Sequence, residues 1–173
     1  MIKDSGERRK FETGAVRDIQ EGKGRCDLMP LDVIARVLGG YSSEPDCVLD
    51  PISCFVNSGS VHCLYDALEF FRNLCGVDTS SLILEVAKHF EEGAKKYGEN
   101  NWQKGIPVHC YIDSAVRHYL KWLRGDTDEP HGRAFVWNIL CCIWTMENKP
   151  ELDDFTKKGL IFDESNTSCC SNN

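Results

Sequence analysis

The chain has 173 residues, a formal net charge of −7 and a sequence pI near 5.2, and 42% of its residues are hydrophobic. That length supports one domain with a substantial core rather than two, and so acidic a surface excludes general binding to a nucleic acid polymer. No apolar run approaches the ~20 residues of a membrane span, and the charged start MIKDSGERRKFETG lacks the apolar stretch of a secretory signal.

Residues 1–29 are polar and rich in Gly, Lys and Arg, so an irregular or extended arm is expected, tied down at Phe11, Val16 and Leu28. Within it, Gly22-Lys23-Gly24-Arg25 is locally basic; it reads either as a mobile surface arm or as a flexible wrap for an anionic ligand such as a phosphate chain. Pro30 opens a short helix over Leu31–Leu38, stopped by Gly39-Gly40. Residues 41–59 read as loop with a turn of helix at Pro51–Val56. Val61, Leu64, Tyr65, Leu68, Phe71 and Leu74 then share one face of a helix that ends at Cys75 before Gly76.

Asp78-Thr79-Ser80 supplies caps for the next helix, which carries the most informative stretch, LILEVAKHFEEGAKKYGENNW from Leu82 to Trp102. Leu82, Val86, Phe90, Gly93, Ala94 and Tyr97 recur at helical spacing along a packing stripe. Glu85, His89, Glu92 and Lys96 recur along the neighbouring one. Such a stripe is either a solvated face with ordinary ion pairs or a row of chemically useful groups. Gly98 ends the helix, and the following turn brings Trp102 back towards it.

Tyr111–Arg124 is amphipathic, with Ile112, Ala115, Val116, Tyr119, Leu120 and Leu123 on its packed face and Asp113, Arg117 and Arg124 on another. The segment from Gly125 to Gly132 concentrates Asp126, Asp128, Glu129 and His131 in one turn. The last helix, Arg133–Met146, is apolar nearly all round and belongs in the middle of a bundle, with Asn138 as its polar exception. Residues 151–173 lose periodicity and read as a disordered tail after a single domain over 1–150. No alternating runs bounded by hairpin turns stand out, so the expected architecture is all-α, a helical bundle of four to five helices. The 10 cysteines include no Cys-x-x-Cys and are expected as free thiols of a cytoplasmic protein.

Carboxylates on faces adjoining the packed stripes suit a hard cation, Mg²⁺ or Mn²⁺, with His89, His118 or His131 as possible additions for Mn²⁺. Lys96, Lys104, Arg117 and Arg133 are interleaved with these acids as a polyphosphate requires. Trp102 and Trp122 offer surfaces for a base, although core packing is the commoner role of Trp.

Three blocks, KFETGAVRDIQEGKGRCDLMPLDVI, EVAKHFEEGAKKYGENNWQKGIP and YIDSAVRHYLKWLRGDTDEPHGRAFVWN, together resemble the phage and prophage dATP/dGTP diphosphohydrolase family, related to the MazG-like all-α nucleotide pyrophosphohydrolases. The resemblance spans Arg9–Met146 and makes residues 39–80 an insertion relative to shorter members. It implies metal-dependent cleavage of a purine deoxynucleoside triphosphate, dATP or dGTP, to the monophosphate and pyrophosphate. It implies Glu85, Glu92 and Asp113 as catalytic carboxylates, which with Asp128 hold Mg²⁺ or Mn²⁺. Lys96, Lys104 and Arg117 would hold the phosphates and Asn101, Trp102 and Asn138 would stand near the base or sugar, with His118 as a further substrate-binding residue. A homo-oligomer, dimer or tetramer, is also implied. The chain departs from the MazG pattern of Glu-Glu-x-x-Glu and Glu-x-x-Asp: Glu91-Glu92 is followed by Lys95, and Cys110 precedes Asp113. A pocket that sequesters a purine nucleotide without turning it over is therefore the alternative.

Overall fold

The computed structural model describes residues 6–18, 26–28 and 47–157. Five helices follow one another among them: α1 Leu49–Ser58, α2 Val61–Cys75, α3 Thr79–Tyr97, α4 Val108–Arg124 and α5 His131–Asn148. The all-α expectation is met. The Leu31–Leu38 helix, the Gly22–Arg25 piece and the tail from residue 158 lie outside the described residues.

The local signals act as the side chains require. Asp78 caps α3, its Oδ1 accepting from the Ser81 N–H at 2.9 Å and its Oδ2 from the Ser81 hydroxyl at 2.6 Å. Gly105, at φ +105°, closes the turn before α4 in a backbone conformation that strains any residue with a side chain, and a Cβ there would also have to displace the end of Leu152, 2.6 Å away.

α4 and α5 form the centre. Tyr111, Ile112, Ala115 and Val116 from α4 and Phe135, Ile139 and Cys142 from α5 are fully buried or nearly so. α2 adds Leu64, Ala67 and Phe71, and the Phe71 ring lies 4.7 Å from that of Phe135 and 4.9 Å from that of Trp122. α1, expected only as a turn at Pro51–Val56, is a full ten-residue helix because Leu49, Ile52 and Phe55 fall on one buried face. Much of the 39–80 segment is thus part of the core.

α3 sits differently. Of its packing stripe only Val86 is buried, while Leu82, Phe90, Ala94 and Tyr97 are half-buried and Leu84 on the outer side is 67% exposed. His89, expected on the polar stripe with Glu85 and Glu92, is turned inward and buried.

The N-terminal arm brings the main correction. Arg8–Lys10 (β1) and Val16–Asp18 (β2) pair antiparallel, with Arg8 opposite Asp18 and Lys10 opposite Val16. Three-residue strands reading RRK and VRD carry no alternation, and the pairing is set by what the hairpin rests on. Asn101 Oδ1 accepts from the Val16 N–H at 3.0 Å, and Asn101 Nδ2 donates to the Val16 carbonyl at 2.9 Å. Lys96 Nζ and the Tyr97 hydroxyl donate to the Asp18 carboxylate at 2.7 and 2.9 Å. Leu28, expected as an anchor, is 71% exposed; Cys26 and Asp27 beside it are buried instead.

Beyond α5 a short 3₁₀ turn at Pro150–Leu152 leads to Asp154, which accepts from the His109 backbone N–H at 3.1 Å, and to buried Thr156. All eight described cysteines are free. No described helix is long and apolar enough to cross a membrane.

Candidate functional site

The hairpin does not cover the bundle flush. Between it, α3, α4 and the start of α5 lies a cavity of about 730 Å³, within the ~300–1,000 Å³ range of small-molecule sites. Phe11, Phe90, Ala94, Trp102, Ile106 and Trp137 give it one apolar wall, and Arg17, Arg117, Lys121, Asp113, Asp128 and Glu129 give it a charged one.

Arg17, in the middle of β2, crosses the floor. Its Nη1 donates to the Cys110 carbonyl at 3.0 Å, and its Nη2 donates to Ser114 Oγ at 3.0 Å and to Asn138 Oδ1 at 2.8 Å. One guanidinium therefore ties the hairpin to both central helices, which its planar fork of donors allows and a lysine would not. Asn138 is completed by donating from Nδ2 to the Ala134 carbonyl at 2.8 Å, so the buried amide is satisfied and still lines the cavity.

At the charged end, the α4–α5 turn folds back over α4. His118 Nδ1 and His131 Nδ1 face each other at 3.0 Å, and Glu129 Oε1 lies 3.7 Å from the first and 3.6 Å from the second. His131 Nε2 donates to Asp128 Oδ1 at 2.8 Å. That bond leaves His131 Nδ1 as the acceptor nitrogen, the arrangement in which a carboxylate behind an imidazole orients it towards a cation. Burial, reinforced by the His131, Arg117 and His89 charges, pushes the His118 pKa well below the usual imidazole value, which favours the neutral ring. The Asp128 carboxyl is held down by the hydrogen bond from His131, with Lys121 adding to it. A second group, Asp126, Asp128 and His131, has the same ligating proximity. Two ring nitrogens and a carboxylate oxygen form a mixed set that accommodates Mn²⁺ better than the all-oxygen preference of Mg²⁺.

Between these two ends stand two buried groups without hydrogen-bond partners among the described residues, His89 Nδ1 and Trp137 Nε1, their rings 5.4 Å apart. Burial, with the nearby Arg133 charge, brings the His89 pKa down to about 4.

The expected site residues divide. Asn101, Trp102, Asp113, Arg117, His118, Asp128 and Asn138 line the cavity. Glu85, Glu92, Lys96 and Lys104 do not, and the four expected metal carboxylates are not gathered at one point. Glu85 pairs with Lys88 on the exposed side of α3, with Arg133 Nη1 at 4.0 Å. Glu92 accepts from Arg133 Nη2 at 2.6 Å. Asp113 is buried, accepting from the Cys26 N–H at 2.6 Å and from Arg117. Among the described residues, neither three-membered metal-capable group contains Glu85, Glu92 or Asp113. Helical spacing puts side chains on a face but does not decide what crosses from the neighbouring helix, and here Arg133 occupies the position opposite Glu92. Trp102 packs edge-on against Phe90 at 5.5 Å and Trp144 at 5.0 Å.

Sequence reasoning missed Arg17 and Glu129. Arg17 sits in a segment without periodicity, and only the hairpin delivers it. Glu129 was visible in the acidic turn; the signal was its position two residues before His131, in the α4–α5 connection that folds back towards His118.

Comparison with known proteins gives two findings. Residues 72–155 match the family described as dATP/dGTP diphosphohydrolase, N-terminal. A dATP/dGTP diphosphohydrolase of Salmonella phage PMBT28 is 29% identical over 75 residues, which cover 40% of this chain and 26% of that protein. The chain therefore matches about a quarter of the length of that relative. No solved structure matches the chain.

Proposed function

We propose, from the match of residues 72–155 to the dATP/dGTP diphosphohydrolase N-terminal family, that the chain hydrolyses a purine deoxynucleoside triphosphate, dATP or dGTP, to the monophosphate and pyrophosphate with a divalent cation. The observation that carries the reading is the cavity with its division of labour. His118 and Glu129 of the cation-capable cluster line it beside the Arg117 and Lys121 cations, with His131 buried behind them, and aromatic side chains give it an apolar wall. A triphosphate and a purine need those two environments side by side.

In this account His118, Glu129 and His131 hold Mn²⁺ or Mg²⁺, Asp128 orients His131 from behind, and Asp126 stands ready as a further carboxylate. When bound there, the cation would supply charge neutralisation and Lewis acidity. The chain's own groups do the rest. Arg117 and Lys121 bind phosphate oxygens, and Asp113 orients Arg117. Phe90, Trp102 and Trp137 enclose the base and exclude water, and Arg17 keeps the hairpin wall in place. Glu85 and Glu92 act here through Arg133, which they position at the start of α5, rather than as ligands.

The test is Mn²⁺ binding followed by the metal's magnetic resonance signal, beside nucleotide product analysis, for the wild type and His131→Ala. Metal-dependent release of purine monophosphate that falls together with Mn²⁺ affinity in His131→Ala is the expected result. Full activity and unchanged Mn²⁺ affinity in His131→Ala would move the metal elsewhere and overturn the assignment.

A further inference from the structure

At the hairpin end of the cavity, away from the histidine cluster, a second constellation stands in the first turn of α4. Cys110 Sγ lies 3.2 Å from His109 Nε2. The other nitrogen of that ring, Nδ1, meets Asp154 Oδ2 at 2.5 Å, and Asp154 Oδ1 accepts from the His109 backbone N–H at 3.1 Å. The carboxylate thus grips both the ring and the backbone of His109 and fixes which nitrogen faces the sulfur. Arg9 Nη1 approaches the same sulfur at 3.9 Å. The thiol also sits at the N-terminal, positive end of the 17-residue helix α4. Sulfur, imidazole and carboxylate in this order are the arrangement that activates a cysteine nucleophile, and three independent sources of positive potential converge on one sulfur.

Cys110 is largely buried from bulk solvent, but it lines the cavity, as does Arg9. A small reagent in the cavity reaches it without opening the core. Cys141 and Cys142, by contrast, are buried in α5, where burial pushes their thiols up.

We propose that Cys110 is a modification site: a nucleophilic thiol, positioned by His109 and Asp154, that small electrophiles entering the cavity modify, with hydrogen peroxide as the oxidant class. In that step the S–H proton passes to His109 Nε2, 3.2 Å away, and the thiolate sulfur attacks one peroxide oxygen, an S–O bond forming as the O–O bond breaks. The sulfur is oxidised to the sulfenic acid, and the leaving hydroxide takes the ring proton of His109 to become water, so the peroxide is the species reduced. The hydrogen bond from Asp154, then the contact with Cys110, holds the His109 pKa up to about 10, which keeps that proton on the ring until it is needed. The product places an extra oxygen on the cavity wall beside Arg9.

The experiment uses the intact chain, dilute hydrogen peroxide and a sulfenic-acid trap such as dimedone, with peptide mass spectrometry reading each cysteine. Cys75, half-buried and with its thiol pushed up by burial, is the internal reference. Labelling at Cys110 is expected to exceed that at Cys75 by on the order of tenfold, and Asp154→Asn and His109→Gln are expected to remove most of that advantage. Labelling of Cys110 no faster than Cys75 would overturn the proposal, as would variants that keep a native circular dichroism spectrum and the full rate. Should either variant fail to fold, the wild-type comparison decides by itself. Because the readout is labelling, it stands or falls separately from nucleotide hydrolysis.

Discussion

Removing the Asn101 side chain tests whether the hairpin is held by that residue. Its amide makes two hydrogen bonds to the Val16 backbone, at 3.0 and 2.9 Å, and it is buried at 6% exposure. A net hydrogen bond contributes about 1 kcal/mol, and Asn101→Ala also strands a backbone N–H and C=O that are part-buried, so the loss should be about 2–3 kcal/mol. For a domain of this size that lowers Tm by about 4–12 °C. Asn101→Asp keeps the acceptor for the Val16 N–H and loses the donor to its carbonyl, and should fall between wild type and Asn101→Ala. The assay is urea unfolding of the ligand-free protein, together with hydrogen exchange at the Val16 amide, which should lose protection in Asn101→Ala. A change in unfolding free energy below about 0.5 kcal/mol, with Val16 still protected, would show that the hairpin is carried by its other contacts and refute the clamp. A residue that served only to touch a nucleotide would not move the ligand-free protein at all.

Asp128→Asn should weaken Mn²⁺ binding by about 10–100-fold while leaving the fold intact, because it removes the orienting carboxylate behind His131 rather than a ligand, and titration calorimetry reads it directly. Phe71→Ala should cost about 3–5 kcal/mol in urea unfolding, since a fully buried ring against Phe135 and Trp122 leaves a cavity that three helices cannot all close. His89, with its folded-state pKa brought down to about 4 by burial, favours folding when neutral; its contribution is full above about pH 6.5 and is lost as pH falls towards 4. His89→Phe should therefore flatten the fall of the urea midpoint across that window. His109 has the opposite sign: held up to about 10 by Asp154, it contributes fully below about pH 6.5, and the contribution fades as pH rises towards 10. The stability gap between wild type and Asp154→Asn should accordingly narrow over that range.

Helical periodicity carried most of the fold. The α2 face built on Leu64, Phe71 and their neighbours, the Asp78 cap, and an α5 apolar on all sides each reported a local or nearest-neighbour requirement that a single stretch of sequence contains. The hairpin was not legible, because its register depends on Asn101, Lys96 and Tyr97, all more than seventy residues away. The site followed the same division. His118 and Asp128 stood out as chemically loaded positions beside a tight turn, and the turn brings each of them against His131, at 3.0 and 2.8 Å. Glu85 and Glu92 carried an equally strong signal by spacing, but a spacing argument has no means of seeing Arg133 arrive from α5. Cys110 broke the expected carboxylate pattern, and the partner that gives it a use, Asp154, lies in a segment with no periodicity at all.

Hydrolysis in ¹⁸O-labelled water tests the central claim most directly. The purified chain is incubated with dATP or dGTP and Mn²⁺, with a parallel sample in EDTA, and the products are weighed by mass spectrometry. Attack at the α-phosphorus predicts purine deoxynucleoside monophosphate carrying the label and unlabelled pyrophosphate, and neither in EDTA. Labelled orthophosphate with a nucleoside diphosphate would contradict the proposed reaction, and nucleotide binding without any product would replace the enzyme by a pocket that only sequesters its ligand.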